Sequence, residues 1–389
     1  MEMKASRYQG SKKVVQVVHS GHPWIYSGAL SSAIDPLPPG LVRIVDGGNR
    51  FLAYAIYEPH GIVRLRILSR SADFALADLD SRFKEVAKKK FGHMEGEQSA
   101  CRVINGEGDG FPGLTCDRYA DTLVWQPYLQ FWDSYLPRFA ELVDSIPTGR
   151  FNQIVKYPLA REEKSQYHTL SDESVIEPIS FEEQGVKLLA YPLTGQKTGF
   201  FLDLREIRVL LPGIIKEGDK VLNGFANSAS FTAIAKLAGA ESVLSVDSDP
   251  ACLLQARSTM EANSLTLDDN DWATDDVWEF LVEARLKDER YDLIILDPPN
   301  MCSRRSSLKP ALKGWQKLIT SSIPLLAPGG AVLVINCSSM MTRDICEESI
   351  VKLKTGLNIE ATGGLPPDHT VLGSFPEGSY LKWWLYRKP

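Results

Sequence analysis

No stretch of this sequence stays apolar over the roughly 18 residues that a membrane-spanning helix needs, so a protein of that kind is not expected. The first 20 residues lack the apolar core of a secretory leader and nothing marks an organelle transit peptide, which leaves the cytoplasm as the expected location. Low-complexity tracts and internal repeats are missing too. Six cysteines occur (Cys101, Cys116, Cys252, Cys302, Cys337 and Cys346), yet no two stand as a CxxC pair, so a zinc ribbon, a thioredoxin-type centre or another metal site is not expected. In a large cytosolic chain such thiols should be free. The glycine fingerprint GxGxxG is absent, which argues against a nicotinamide-dependent dehydrogenase.

What is present is an ordinary globular composition, 44% hydrophobic and 24% charged over 389 residues, enough for two or three domains. The net charge of −6 argues at first against a nucleic-acid partner, but the charge is unevenly spread. Residues 1–70 hold nine Lys/Arg against four Asp/Glu; residues 71–180 hold 12 against 18 and residues 181–389 hold 22 against 27. A basic module on an acidic body suffices for phosphate contacts, which need only a local positive face. Chance asymmetry of a solvated surface is the plainer alternative.

Within residues 11–70, Val14–Val18, Gly40–Val45, Arg50–Tyr57 and Ile62–Leu68 read as short strands separated by Asp-Pro, Pro-Gly and Gly-Gly turn signals, a small β-barrel pattern. The last of them alternates apolar residues with arginines. Residues 71–180 mix helical periodicity over 75–90 and 133–146 with a turn-dense loop at 105–114 and a strand at 153–157, an α+β connector. Residues 181–389 alternate apolar runs with helical segments. Strands are predicted at Lys220–Asn223, Ser242–Asp247, Tyr291–Asp297 and Ala331–Cys337, and a helix at Phe231–Ala238. Continuous apolar strands alternating with helices mean an α/β domain with a parallel, doubly wound sheet.

Ligands of such sheets bind beyond the carboxyl ends of the strands. Four of these ends carry polar residues here: Asn223, Asp247, Asp297 and Cys337. The loop from Asn223 through Phe225 and Ser228 to Phe231 should turn backbone N–H groups toward a cofactor at a helix N-terminus. Asp247 can accept hydrogen bonds from both hydroxyls of a ribose, or be an ordinary acidic turn residue. Asp276 suits an adenine contact or a helix N-cap, and the two roles can coincide. Asp297-Pro298-Pro299-Asn300 forms a rigid strand-end loop of the kind found at target-base sites of nucleic-acid methyltransferases, or a plain turn. Cys337 carries the chemistry. The C5 carbon of a pyrimidine is a poor nucleophile, and a thiolate that adds at C6 makes it enolate-like, so that it can take an electrophilic methyl. Asp297 would hydrogen-bond the pyrimidine N3 during the addition. A buried core cysteine at a strand end is the bland reading of Cys337. Cys302, just behind the Asp-Pro-Pro turn, is a second nucleophile candidate, and the other four cysteines read as structural.

At this point the chain resembles the RlmI-like cytosine-5 methyltransferases of large-subunit ribosomal RNA, over nearly its whole length. Gly21-His22-Pro23-Trp24-Ile25-Tyr26-Ser27-Gly28 looks like the signature of that family's N-terminal PUA domain. Residues 105–114 and Asp117-Arg118-Tyr119 resemble its central domain, and Gly195-Gln196-Lys197-Thr198-Gly199-Phe200-Phe201-Leu202-Asp203 with Arg205 is the most specific stretch. Pro366–His369 and Phe375–Lys382 resemble its C-terminal end. The resemblance implies a Rossmann-like class I methyltransferase domain at 181–389, a PUA-like RNA-binding barrel at 1–70 and an α+β domain at 71–180. It also implies S-adenosylmethionine as cofactor and RNA as partner. Phe201, Asp203 and Arg205 would border the cofactor, Arg205 suiting its carboxylate. Asp247 would take the ribose, Asp276 the adenine edge, and Cys337 the place of the nucleophile. A homodimer is compatible with the sequence, and no membrane partner is expected.

Four departures from the family pattern stand out. Ser228-Ala229 replaces a Thr-Gly pair, Met301 an aromatic, Trp315-Gln316 a Tyr-Lys pair, and Asn336-Cys337-Ser338-Ser339 a Ser-Cys-Ser-Gly run. Three readings follow: cytosine-5 methylation through a Cys337 adduct; methylation of another atom such as guanine N7, which needs no thiol; or an RNA-binding protein of weakened catalysis.

Overall fold

The computed structural model describes residues 5–92, 99–146, 150–158, 167–171 and 175–389. Residues 1–4 of the expected barrel, and residues 93–98, 147–149, 159–166 and 172–174 of the expected central domain, lie outside them. The chain groups into two compact units. One comprises Met1–Phe181, Ala190–Leu202 and Pro367–Gly378, the other Glu182–Leu189, Asp203–Pro366 and Ser379–Pro389.

The first unit opens with five strands: β1 (Ser6–Gln9), β2 (Trp24–Tyr26), β3 (Gly40–Val45), β4 (Phe51–Tyr57) and β5 (Val63–Ser69), in sheet order β1-β3-β4-β5-β2. One expectation fails here. Val14–Val18 is not a strand but part of a helix, α1 (Lys12–His19). The side chain of Ser11 accepts from the Val14 N–H and caps its first turn. Val14 and Val18, one turn apart, then bury on the same face against Tyr8, Ile25 and Ile44. The helix penalty of a β-branched residue is only a few tenths of a kcal/mol up to about 0.7, while burying each valine contributes about 1.5 kcal/mol or more, so packing overrides propensity.

The same unit continues through α2 (Asp78–Gly92), β6 (Ala100–Asn105), β7 (Leu114–Tyr119), β8 (Thr122–Pro127), α3 (Leu136–Asp144), β9 (Asn152–Lys156) and β10 (Tyr167–Thr169). Its second sheet runs β10-β9-β8-β7-β6. Phe83, Phe111, Trp125, Trp132 and Phe139 are buried between this sheet and α2 and α3. A two-stranded hairpin, β11 (Ile179–Glu183) and β12 (Val186–Ala190), contains the first passage from one unit to the other.

The second unit begins in earnest with α4 (Arg205–Ile214) and is built on β13 (Lys220–Gly224), α5 (Ser230–Leu237), β14 (Ser242–Asp247), α6 (Pro250–Ala262), β15 (Trp272–Thr274), α7 (Val277–Leu286), β16 (Tyr291–Leu296), α8 (Leu308–Ser322), β17 (Leu326–Asn336), α9 (Arg343–Val351), β18 (Asn358–Gly363) and β19 (Lys382–Arg387). The sheet order is β15-β14-β13-β16-β17-β19-β18. The first five of these strands are mutually parallel, as their unbroken apolar runs predict: Leu222, Val246, Ile294 and Val332 are fully buried. The chain steps outward from β13 to β15, then returns to the other side of β13 with β16, which makes the β13–β16 edge the topological switch point. The expected parallel sheet is extended by β19, which runs antiparallel to β17, and by β18, which runs antiparallel to β19 and so points the same way as the first five. Trp383, Trp384, Leu385 and Tyr386 of β19 are buried, so the last strand completes the core between two others rather than fraying as a tail.

Candidate active site

β13, β14, β16 and β17 run in parallel, so their carboxyl ends meet at one edge of the sheet. The four polar residues singled out at strand ends therefore share that edge. Asn223 is fully buried and donates from Nδ2 to Thr232 Oγ1 on α5 at 2.9 Å; Thr232 in turn pairs with Ser245 Oγ on β14 at 2.7 Å. This buried trio anchors the base of the loop that follows. Asn223 thus acts from beneath the loop, and its Oδ1 has no hydrogen-bond partner among the described residues.

The loop itself is bent by three non-glycine residues at positive φ: Phe225 at 62°, Asn227 at 47° and Ala229 at 60°. Such residues cluster where a backbone must face a ligand. The Ala226 N–H goes to Val246 O and that of Ala229 to Ala226 O, whereas those of Phe225 and Ser228 donate to no group among the described residues. Asp247 holds the loop from the neighbouring strand end: Oδ2 accepts from the Asn227 N–H at 2.9 Å, Oδ1 from Asp249 N–H at 3.0 Å. A carboxylate has about four acceptor positions, so lone pairs remain for a pair of ribose hydroxyls. Asp276 is exposed and caps α7, its Oδ1 accepting from the N–H groups of Trp278 and Glu279. The Asp275 N–H donates to Asp247 O, which sets this cap beside the Asp247 strand end. Free N–H donors at a helix start, a half-buried carboxylate one strand over and an acid beyond it fit the phosphate-free nucleoside end of S-adenosylmethionine.

Sequence reasoning overlooked Trp278. Its ring stands edge-on to Phe225, with centroids 6.3 Å apart. It also lies near Gly314 of α8, where an added Cβ would come 2.7 Å from Met301 Cε and 4.0 Å from Trp278. Met301 thus fills with a flexible chain the space against a glycine where the family places a ring. Trp315 is core, wholly buried and packed edge-on to Trp384, and Gln316 donates to Ser349 O on α9. These two departures have structural employment.

The chemical end of the site is braced by residues whose roles only the coordinates reveal. The Asp297 N–H donates to Gly224 O at 3.4 Å, linking the Asp-Pro-Pro loop to β13. Cys337 directly follows β17, and its Sγ lies 3.9 Å from Pro298 O. It is the one cysteine of the six that is partly exposed. Buried Ser338 locks the two segments: its Oγ donates to Asn300 Oδ1 at 2.7 Å and accepts from the N–H groups of Met301 and Cys302. Lys382 of β19, 4% exposed, donates to Ser338 O at 2.7 Å. Burial lowers its pKa to about 8, although the thiols of Cys346 and Cys337 pull the other way. Cys302 is 1% exposed, its sulfur turned against Arg304 O of its own loop, an environment that suits a nucleophile less well than that of partly exposed Cys337. Burial raises the thiols of Cys116, Cys252 and Cys346, the last two to about 12 and about 11, in keeping with structural roles.

The residues implied only by resemblance are spread more widely. Phe201 falls in the first unit's share of the chain, with the Lys197 ammonium 4.6 Å from its ring centroid. Asp203 is buried and accepts from Tyr380 OH at 2.7 Å. Arg205, also buried, donates to Glu183 Oε1 at 3.2 Å, and Arg208 pairs with the same carboxylate. Burial alone would raise the Glu183 pKa; Arg208 and Arg205 outweigh it and hold it below the ordinary value.

A seven-stranded sheet of this order with a loop-and-carboxylate cradle at its switch point defines a Rossmann-like methyltransferase fold. Residues 155–370 match the S-adenosylmethionine-dependent methyltransferase family and residues 11–70 match a PUA-like domain. The chain belongs to this S-adenosylmethionine-dependent methyltransferase family, and S-adenosylmethionine is its cofactor. It is similar to the ribosomal RNA large subunit methyltransferase of Deinococcus radiodurans, with 32% identity covering 97% of this chain and 96% of that one. It is likewise 32% identical to ribosomal RNA large subunit methyltransferase I of Shigella dysenteriae, with 93% of each chain covered. Among solved structures, a SAM-dependent methyltransferase from Streptococcus mutans superposes with a TM-score of 0.83 at 21% identity, over 98% of this chain and 100% of that chain, and shows the same fold.

Proposed function

We propose that this protein methylates large-subunit ribosomal RNA, and that it forms 5-methylcytosine through a covalent Cys337 adduct. The observation that supports the chemistry is the seating of half-exposed Cys337 against the Asp297-Pro298-Pro299 loop, at the strand-end edge where the Asp247 cradle also lies. In this reading the Cys337 thiolate bonds to C6 of the ring while Asp297, carrying a proton, donates it to N3, which takes up the charge displaced from the C5–C6 bond and leaves C5 enamine-like. S-adenosylmethionine supplies the electrophilic methyl. Loss of the C5 proton to a water molecule then expels the thiolate, restoring the enzyme. Protonated Lys382, buried behind Ser338, favours the thiolate electrostatically. Phe225, Ser228, Asp247 and Asp276 would hold the nucleoside end of the cofactor, with Asn223 beneath the loop, and Phe201, Asp203 and Arg205 its amino-acid end. The division into a barrel at 1–70, a central domain at 71–180 and a catalytic domain at 181–389 belongs to the same proposal.

The deciding experiment is transfer of a labelled methyl to ribosomal RNA from cells lacking this protein, with wild type and Cys337→Ala side by side and the product nucleoside identified. Label in 5-methylcytosine that disappears in the variant is the expected result. Label in 7-methylguanosine that survives in the variant would overturn the covalent route. Ala229 at φ 60°, where the family has glycine, favours one second reading, an RNA-binding protein with weakened catalysis. Absence of any transfer, together with absence of calorimetric S-adenosylmethionine binding, would favour it.

A further inference from the structure

Between Asp297 and Asp344 the sequence contains no acidic residue, although the catalytic unit as a whole is acidic. Within that gap stand Arg304, Arg305, Lys309, Lys313 and Lys317. The three lysines recur at four-residue intervals on α8, which places them on one face with neighbours about 6 Å apart along the axis. Ala311, Trp315, Leu318, Ile319 and Ser322 bury the opposite face. All five cations are exposed, and among the described residues none of their side chains makes an ion pair or a hydrogen bond. Other cations of the same unit do: Lys236 with Asp271, Lys287 with Glu283, Lys352 with Glu348, Arg290 with Asp288.

This row of cations begins in the loop that Asn300 and Cys302 fasten to Ser338, next to Cys337, and leads away from the sulfur along α8. Five uncompensated charges leading from the reactive edge match a polyanion with regularly repeated charge. We propose that Arg304, Arg305, Lys309, Lys313 and Lys317 form a track for the phosphates of the RNA strand flanking the target base. The track orients the strand and reads no sequence, since lysine meets phosphate as a point charge. This inference rests on the RNA-methyltransferase reading and adds a second RNA contact, on the catalytic unit itself.

The test uses the full chain, S-adenosylmethionine and deproteinised large-subunit ribosomal RNA. Binding of wild type and K309Q/K313Q/K317Q is measured from 50 to 200 mM KCl, with methyl transfer alongside. Glutamine is a good helix former, so the exposed face should tolerate it. Three lost phosphate contacts should lower the slope of log affinity against log salt by about 2 to 3. The RNA KM should rise about tenfold or more at 150 mM salt, with kcat and S-adenosylmethionine affinity within about twofold. K309R/K313R/K317R should behave as wild type. K220Q/K287Q/K352Q, the same charge change elsewhere on the unit, should alter the slope by less than about 1. An unchanged slope in the first variant, or an equal loss in the control, overturns the track while wild-type RNA methylation still stands. Loss of activity on assembled subunits but not on free RNA would assign the lysines to an acidic protein partner instead, and also overturn it. Wild type that neither binds nor methylates RNA would sink both the track and the reading beneath it.

Discussion

The molecule has two basic regions, and they differ in what their charges are doing. In the barrel, the arginines counted as a binding face are largely spoken for. Arg66 donates to Glu107 at 2.6 Å and stacks over Trp24; Arg64 is bonded to Asp35 and Tyr57; Arg70 reaches the carbonyls of Val18 and His22. The signature around Gly21–Gly28 is used in the same way. His22 and Tyr26 share Glu377, Trp24 donates to Glu107, and Trp24 and Phe375 meet at 4.6 Å, all inside the first unit. On α8 the lysines have no such partners among the described residues. A tally of charges along a sequence therefore locates cations without saying which of them are available. Those that already neutralise an internal carboxylate hold the fold, and those that do not can meet a ligand.

That contrast can be broken or sharpened. The largest effect should come from Cys337→Ala, which separates chemistry from both basic regions: methyl transfer should fall by at least about a thousandfold with RNA affinity within about twofold, measured on the same RNA. Next, Arg66→Ala should destabilise the protein by about 3 kcal/mol in urea unfolding, because it strands the Glu107 carboxylate, 10% exposed in its side chain, without its cation. Lys313→Ala should cost less than about 0.5 kcal/mol by the same measurement, since it leaves nothing unpaired. Equal costs would mean that the two regions do not differ as described.

Smaller effects test the candidate site itself. The Lys382 pKa is depressed to about 8, below the value near 10.4 of an unfolded chain. The unfolded chain therefore binds the proton more tightly across that window. Stability should rise with pH from about 8 toward about 10.4, by up to about 1.4 kcal/mol per pH unit, and Lys382→Met should flatten this slope in urea midpoints. At pH 7 the lysine is still charged, so the same variant should slow alkylation of Cys337 by iodoacetamide. Last, Ala229→Gly should relieve the left-handed backbone, stabilise the protein by about 1 kcal/mol and tighten S-adenosylmethionine binding; a loss of stability would mean the methyl packs better than it strains.

Much of this was written in the sequence itself. The alternation of apolar runs with helices determined the parallel core, because a strand buried on both faces must be apolar along its whole length. Strand-end polarity marks Asp247, Asp297 and Cys337 as site candidates, and the parallel run of β14, β16 and β17 brings them to one edge of the sheet. Among the described residues no helix is long and apolar enough to cross a membrane, in line with the lack of apolar runs. The tertiary structure alone decided the rest. Valine spacing at 14 and 18 suits a helix or a strand, and only the pocket lined by Tyr8, Ile25 and Ile44 chose the helix. Ser338, Asn300, Lys382 and Trp278 are ordinary polar and aromatic residues in sequence, and they join the candidate site only where β17, β19, α7 and the Asp-Pro-Pro loop meet. Which cations remain open to a partner was settled in the same way, since neutralisation depends on what lies within about 4 Å in space, and chain order does not encode that distance.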